Sequence, residues 1–238
     1  MNTMDRIALI RAEEKKYHDQ CYDRNLLFEP GSWLYKPVRT VMELLPLLVD
    51  KEGMRVLDLG AGVGRNAIPI AQYLQSRSAS VVAVDLLESA IHGLHDYSRQ
   101  HGVDDSIEPV LSDIEGYAIA ENSFDFIFAV SALEHLRSID CLTAKLSEMA
   151  KGTKSGGIIC IIMGTNVREV LEETGETIEP MFELNLPTGK LLQLLETQFR
   201  DWDVLNHHVN TQRYSIERQG RAVQLSCDCL TFSVRKRW

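Results

Sequence analysis

The run Val56-Leu57-Asp58-Leu59-Gly60-Ala61-Gly62-Val63-Gly64-Arg65-Asn66 takes a strand-like apolar stretch into an acid and then three glycines at every second position. Glycine adopts positive φ and carries no side chain, so this backbone can turn sharply and lie directly against a ligand. The free N–H groups that open the next helix add positive potential beside it. An ordinary strand-to-helix turn is the plain alternative. Asp85 tips the balance: it closes the buried-strand pattern Ser80-Val81-Val82-Ala83-Val84-Asp85, 21 residues beyond Gly64. In a doubly wound sheet that acid falls at the carboxyl edge beside the glycine turn, where it can accept from ribose hydroxyls. Order and spacing together point to a nucleoside-cofactor site.

The dinucleotide fingerprint separates its second and third glycines by two residues. Here one residue separates them and an aspartate precedes the run. An acid at that position repels a pyrophosphate and suits a cationic or amine-bearing ligand, which argues against an NAD-dependent oxidoreductase. At these residues the chain resembles the class I S-adenosylmethionine-dependent methyltransferases, whose first motif is acid-x-Gly-x-Gly-x-Gly. The Gly64-Arg65-Asn66 continuation is similar to the small-molecule branch that includes tellurite-resistance-type enzymes. The resemblance covers roughly residues 54–163.

The resemblance implies roles residue by residue. Gly60, Gly62 and Gly64 bring backbone to the methionine part of S-adenosylmethionine, and Asp58 holds its amino end. Asp85 takes the ribose hydroxyls with Leu86 against the adenine. Ser112-Asp113-Ile114 resembles the adenine site, with Asp113 accepting from the exocyclic amine and Ile114 supplying backbone or apolar contact. A turn or helix cap is the other use of Asp113. Asn66 and Ser131 complete the cofactor set, while a polar residue such as Asn66 in a first helical turn also serves as a cap.

Phe124-Asp125-Phe126-Ile127-Phe128-Ala129-Val130 reads as a buried fourth strand, ending at Ser131-Ala132-Leu133-Glu134-His135-Leu136. In the family this loop faces both sulfonium and acceptor. His135 is the candidate general base, because imidazole titrates near neutrality; shaping the pocket is its alternative role. The Asn-Pro-Pro-Tyr type of loop, typical of many enzymes acting on nucleobase amines, is absent. Transfer from a sulfonium depends mainly on alignment of the nucleophile, so a missing acid–base dyad does not exclude an enzyme.

Acceptor choice belongs outside this core. Tyr17, His18, Tyr22, Trp33 and Tyr35 precede the first strand, where a lid or simple core packing accounts for them. Residues 164–187 hold Glu169, Glu172, Glu173, Glu176, Glu179 and Glu183 against the single basic Arg168. They read either as a solvated helix face or as a cap selecting a cationic acceptor.

These residues need a frame, and the alternation of patterns supplies one. Strands are expected at 54–59, 80–85, 107–111, 124–130 and 157–163, with helices at 65–77, 87–101 and 139–151 between them. Such alternation implies parallel pairing with right-handed crossovers. Helices are also expected at 4–22 and from Val38 to Leu45, where Pro46 kinks or ends the second. Turns are expected at 50–53 and across Gly152-Thr153-Lys154-Ser155-Gly156-Gly157. A helix near 188–198 and extended segments at 201–215 and 221–236, joined near Gln219-Gly220, close the chain as a β-hairpin. The expectation is an α/β, Rossmann-like seven-stranded sheet, mostly parallel with a C-terminal antiparallel hairpin and helices on both faces. One domain spans 1–238: an N-terminal helical lid at 1–50, a cofactor core at 51–163, an acidic cap at 164–187, and a closing helix and hairpin at 188–238.

The net charge of −9 disfavours nucleic acid, whose phosphates call for clustered Lys and Arg. Five cysteines without paired zinc-type spacing suggest reduced thiols, and Cys227 and Cys229 read as packed small residues. Adjacent His207 and His208 face opposite ways in a strand, so no metal site is expected. The amino-terminal stretch is interrupted by charge and the longest apolar run is too short to span a bilayer. A cytoplasmic monomer or homodimer acting on a small molecule is the resulting expectation. A protein or peptide methyltransferase and a non-catalytic cofactor-binding regulator are the alternatives.

Overall fold

The computed structural model describes residues 3–48, 53–218 and 220–238. The expected turn residues 50–52 and the hairpin residue Gln219 lie outside this set, as do the side chain of Met4 and Val49.

Five strands form the parallel part of one sheet: β1 (Arg55–Leu59), β2 (Ser80–Asp85), β3 (Ile107–Leu111), β4 (Phe124–Val130) and β5 (Thr153–Leu171). Further along come the two-residue β6 (Thr177–Ile178) and the antiparallel pair β7 (Asp203–Arg218) and β8 (Arg221–Arg235). The sheet order is β3-β2-β1-β4-β5-β8-β7, with β6 paired to β5 off this path. The count is therefore eight and not seven. The extra strand exists because the acidic segment folds back on β5, pairing Glu169 with Ile178 and Val170 with Thr177.

Strand period two divides the core cleanly. Val56, Val81, Ala83, Phe126, Phe128, Ile158 and Cys160 face one layer, with α2 (Arg39–Leu44), α3 (Ala67–Leu74) and α4 (Glu88–Gln100). Leu57, Val82, Val84, Ile127, Ala129, Ile159 and Ile161 face the other, with α5 (Ile139–Gly152) and α6 (Thr188–Gln198). Helices thus cover both faces, and every residue of β4 is buried. Each such large apolar side chain contributes about 1.5–3 kcal/mol of burial free energy.

Pro46 acts as expected, since α2 stops at Leu44 and a 3₁₀ turn, Leu45–Leu48, takes over. Two segments differ from expectation. Residues 153–157 are not a turn before the fifth strand but its first part, bulged where pairing jumps from Phe124↔Thr153 to Phe126↔Ile158. Gly156, at φ +69°, lies in that bulge, with the Trp238 ring 2.7 Å from where a Cβ would stand. The acidic stretch is strand and loop, not a helix face: its alternating burial along 164–171 has period two.

One row of partners crosses the sheet: Val110, Val84, Leu59, Ala129, Ile161, Phe232 and His207. The parallel strands β1 to β4 end within two residues of that row and define a rim. The remainder of β5 runs on to Leu171 paired with β8, with β7 beyond it. This antiparallel extension stands above the rim, bent at the register shift between Thr165 and Arg168, where Asn166 has φ +48°.

Candidate active site

Chain order reverses at β1, which lies between β2 and β4, and ligands of doubly wound sheets bind at that reversal. Leaving β1, the chain hooks over β2, with Gly60 and Ala61 N–H both donating to the Val84 carbonyl at 2.9 and 3.0 Å. Gly60, Gly62 and Gly64 all have positive φ. A Cβ on Gly60 would stand 2.5 Å from the Ala132 Cβ, and one on Gly62 would stand 3.2 Å from the Tyr22 hydroxyl. Asp85 fixes the turn, accepting from Gly62 N–H at 2.8 Å and from Leu87 N–H at 2.9 Å.

Asp58 sits at the centre of this arrangement with 0% exposure. Among the described residues no donor reaches either of its carboxylate oxygens. Burial, and then the nearby Asp85 charge, push its carboxyl well above the usual range, against a smaller pull from Arg65. Buried carboxylates are ordinarily hydrogen-bonded, so this orphan fits a ligand that brings a cationic donor.

The other expected residues are distributed around it. Leu86 is half exposed at the end of β2, and Ile114 is buried in the layer beside α5. Asp113 caps its own turn, accepting from Glu115 N–H at 2.9 Å, and its other oxygen pairs with Arg11 at 2.9 Å. Asn66 Oδ1 accepts from Val38 N–H at 2.8 Å and so holds the segment before α2. Ser131 opens the loop after β4 in the left-handed region, φ +50°, its N–H donating to the Ile162 carbonyl.

The helix α1 (Thr3–Arg24) straps across the rim. Arg6 pairs with Glu179 and donates to the Pro180 and Phe182 carbonyls; Asp19 accepts from Ser89 on α4. His18 packs against Tyr17, Tyr22 and Trp33, with Tyr22 and Trp33 beside Gly62, whereas the exposed Tyr35 ring meets the Lys36 ammonium instead.

His135 lies on the β5 side, its Nδ1 3.0 Å from Glu183 Oε2 and its ring stacked on Phe182. Burial alone lowers an imidazole, but the Glu183 hydrogen bond and the charges of Glu14 and Glu134 outweigh it and raise His135 to about 9. At neutral pH the ring is therefore protonated. Glu134 is 3% exposed, its Oε1 accepting from Gly164 N–H at 3.1 Å. Burial raises Glu14 and Glu134 alike. Glu169 is fully buried against Arg218 at 3.1 Å. Sequence reasoning gave no role to Glu14, Glu134, Arg11 and Arg218: Arg11 and Glu14 are charges on a polar helix, Glu134 stands in the loop after β4, and Arg218 ends a long strand. Glu169 and Glu183 were visible only as members of an acidic run.

Comparison with known proteins matches this geometry. Residues 56–157 fit the family model described as a methyltransferase domain. The chain is 32% identical over 108 residues to a sterol 24-C-methyltransferase, ERG6B, of Gibberella zeae, covering 45% of this chain and 27% of that protein. It is 27% identical over 158 residues to the methyltransferase GfsG of Streptomyces halstedii, covering 66% and 54%. The chain thus spans about half or less of the length of these curated relatives. Among solved structures, TehB from Haemophilus influenzae superposes with a TM-score of 0.59 at 20% identity, covering 82% of this chain and 62% of that one.

Fold and glycine-loop geometry define a doubly wound nucleoside-cofactor domain. Residues 56–157 carry a methyltransferase domain, in which the chain is similar to the class I S-adenosylmethionine-dependent methyltransferases, and S-adenosylmethionine is the cofactor of that family.

Proposed function

We propose that this chain transfers a methyl group from S-adenosylmethionine to a small molecule. The observation that carries the reading is Asp58: a fully buried carboxylate without a hydrogen-bond donor, beneath a backbone strip that side chains would fill. Asp58 would hold the amino end of the cofactor. Gly60, Gly62 and Gly64 would let backbone approach it, Asp85 would take the ribose hydroxyls, and Leu86, Asp113 and Ile114 would frame the adenine, with Ser131 at the loop facing the acceptor. Asp113 then exchanges its Arg11 partner or shares it.

When bound, the cofactor supplies an electrophilic methyl on a sulfonium. The chain's own residues do the rest: α1 and the β5–β8–β7 extension shield the rim from water, and the Glu183–His135 pair holds a proton at the imidazole. Removing a proton from an acceptor requires His135 to be neutral, so a base role predicts a rate that climbs with pH toward about 9. A rate independent of pH from 6 to 9 would leave His135 an orienting donor. A small acceptor is supported by curated relatives named for sterol 24-C-methylation and ubiquinone-biosynthesis O-methylation.

Calorimetry with S-adenosylmethionine, S-adenosylhomocysteine and NAD tests the donor. Binding of the first two and not the third is expected; tight NAD binding alone would sink the reading. Asp85→Ala should weaken cofactor binding about tenfold or more, while His135→Ala should spare it and slow transfer. No helix among the described residues is long and apolar enough to cross a membrane.

A further inference from the structure

The sheet has two edges, and they are built differently. At one end β3 runs only five residues, Ile107–Leu111, with Pro109 at its middle. A short strand bearing a proline is a poor template for another chain, because proline offers no N–H. At the other end β7 runs sixteen residues, Asp203–Arg218, without a proline. Among the described residues β8 is its only strand partner, and none of the sixteen is buried. Every second N–H and C=O along β7 therefore points out of the sheet. The register shift between Val204 and Asn206 interrupts only its start.

Charge and apolar surface make the far part of this edge complementary to itself. The chain carries a net charge of −9, yet the acids of β7, Asp203 and Glu217, are balanced by Arg213 and Arg218. Copies of an acidic chain that repel one another as wholes meet no net repulsion along it. Rows of paired residues run Leu171, Val223, Ile216 and Glu169, Leu225, Tyr214 across β5, β8 and β7. Val223 and Leu225 are buried, whereas Tyr214 at the open end is 48% exposed. An apolar strip thus runs off the sheet uncovered. A second β7 laid antiparallel to the first, about a two-fold axis at Ser215, continues it. Tyr214 then falls opposite Ile216 of the second copy, and Ile216 opposite its Tyr214. On the other face Arg213 falls opposite Glu217 in both directions, since alternate side chains share a face. Both of these side chains are exposed. Opposite charges and aromatic–β-branched pairs are favourable combinations directly across a strand pair.

We infer that the β7 edge is a homodimer interface, at which two copies of the chain pair β7 with β7 about Ser215 into one continuous sheet. Such pairing is isologous and therefore closed. It consumes both long edges and leaves only the two proline-bearing β3 edges, so assembly stops at two.

Charge reversal tests this. Sedimentation equilibrium of the full chain over about 1–200 μM should pass from one chain mass, 26.9 kDa, to twice that mass. Arg213→Glu sets like charges opposite one another at both symmetric positions and should weaken the dimer about thirtyfold or more. Glu217→Arg should do the same. An equimolar mixture of the two variants restores opposite charges at both positions and should recover a dimer within about threefold of the unaltered strength. Hydrogen exchange of the unaltered chain needs no variant: protection should rise with concentration in residues 212–218 and stay constant in 107–111. A monomer throughout, a dimer indifferent to both reversals, a mixture no stronger than its components, or exchange in 212–218 that ignores concentration would overturn the inference.

Discussion

The two halves of the sheet rim are built in different ways. On the β1–β2–β3 side, the function we propose lies in backbone: three positive-φ glycines, a carbonyl that accepts two N–H groups, and Asp85 bracing the turn. On the β4–β5–β8–β7 side it lies in charged side chains drawn from α1, two loops and two strands. The first half is nearly contiguous in sequence. The second is assembled from residues as far apart as Glu14 and Arg218, whose charges are felt in common. A shared donor calls for a fixed cradle, whereas acceptor choice is free to vary in whichever elements surround it.

The sharpest way to break this division is to put a side chain on the backbone half. Gly60→Ala forces a Cβ to 2.5 Å from Ala132 at φ +85°. It should cost about 2–4 kcal/mol of stability in urea unfolding and remove cofactor binding. Cofactor affinity that survives would mean that the glycine loop is not the cradle.

Asp58→Asn comes next. The carboxyl is held above its usual range by burial, so removing its charge should raise the stability of the unliganded protein by about 1 kcal/mol. The same change should weaken S-adenosylhomocysteine binding about a hundredfold in calorimetry. Opposite signs in the two measurements mark a residue kept for a ligand rather than for the fold.

On the charged half, His135 makes stability depend on pH. Its folded value, about 9, lies above the ordinary imidazole value of 6.5. The contribution is therefore complete below pH 6.5 and is lost as pH rises through 9, amounting to at most about 3 kcal/mol. Urea melts between pH 6 and 9.5 should show this decline, and His135→Gln should flatten it.

The smallest effect tests the border between halves and the lid. Asn66→Ala removes the acceptor for Val38 N–H and should cost about 1 kcal/mol. Cofactor affinity should move by less than about threefold. A larger loss would mean that Asn66 touches the cofactor directly.

Legibility followed the same boundary. Strands β1 to β4 were readable because each is a short apolar run closed by a glycine, an acid or a polar loop. Asp58 and Asp85 were readable because local spacing fixes them to one edge. The length of β5 was not, since pairing with β8 carries it past Gly164 through residues that are individually polar. Nor was β6, whose two residues exist as a strand only because Glu169 and Val170 lie opposite. Glu14 reads as one more charge on a polar helix until α1 is laid across the rim. Asn66 reads as a cap until Val38 is brought beside it.

The sequence by itself determined the donor: the order acid, glycine, glycine, glycine, acid dictates backbone geometry that neighbouring residues impose on one another. Only the tertiary structure decided the surroundings of the acceptor. Burial, the return of the antiparallel extension above the rim and the strap of α1 set which carboxylates lose water together, and electrostatic cost is a property of that shared environment.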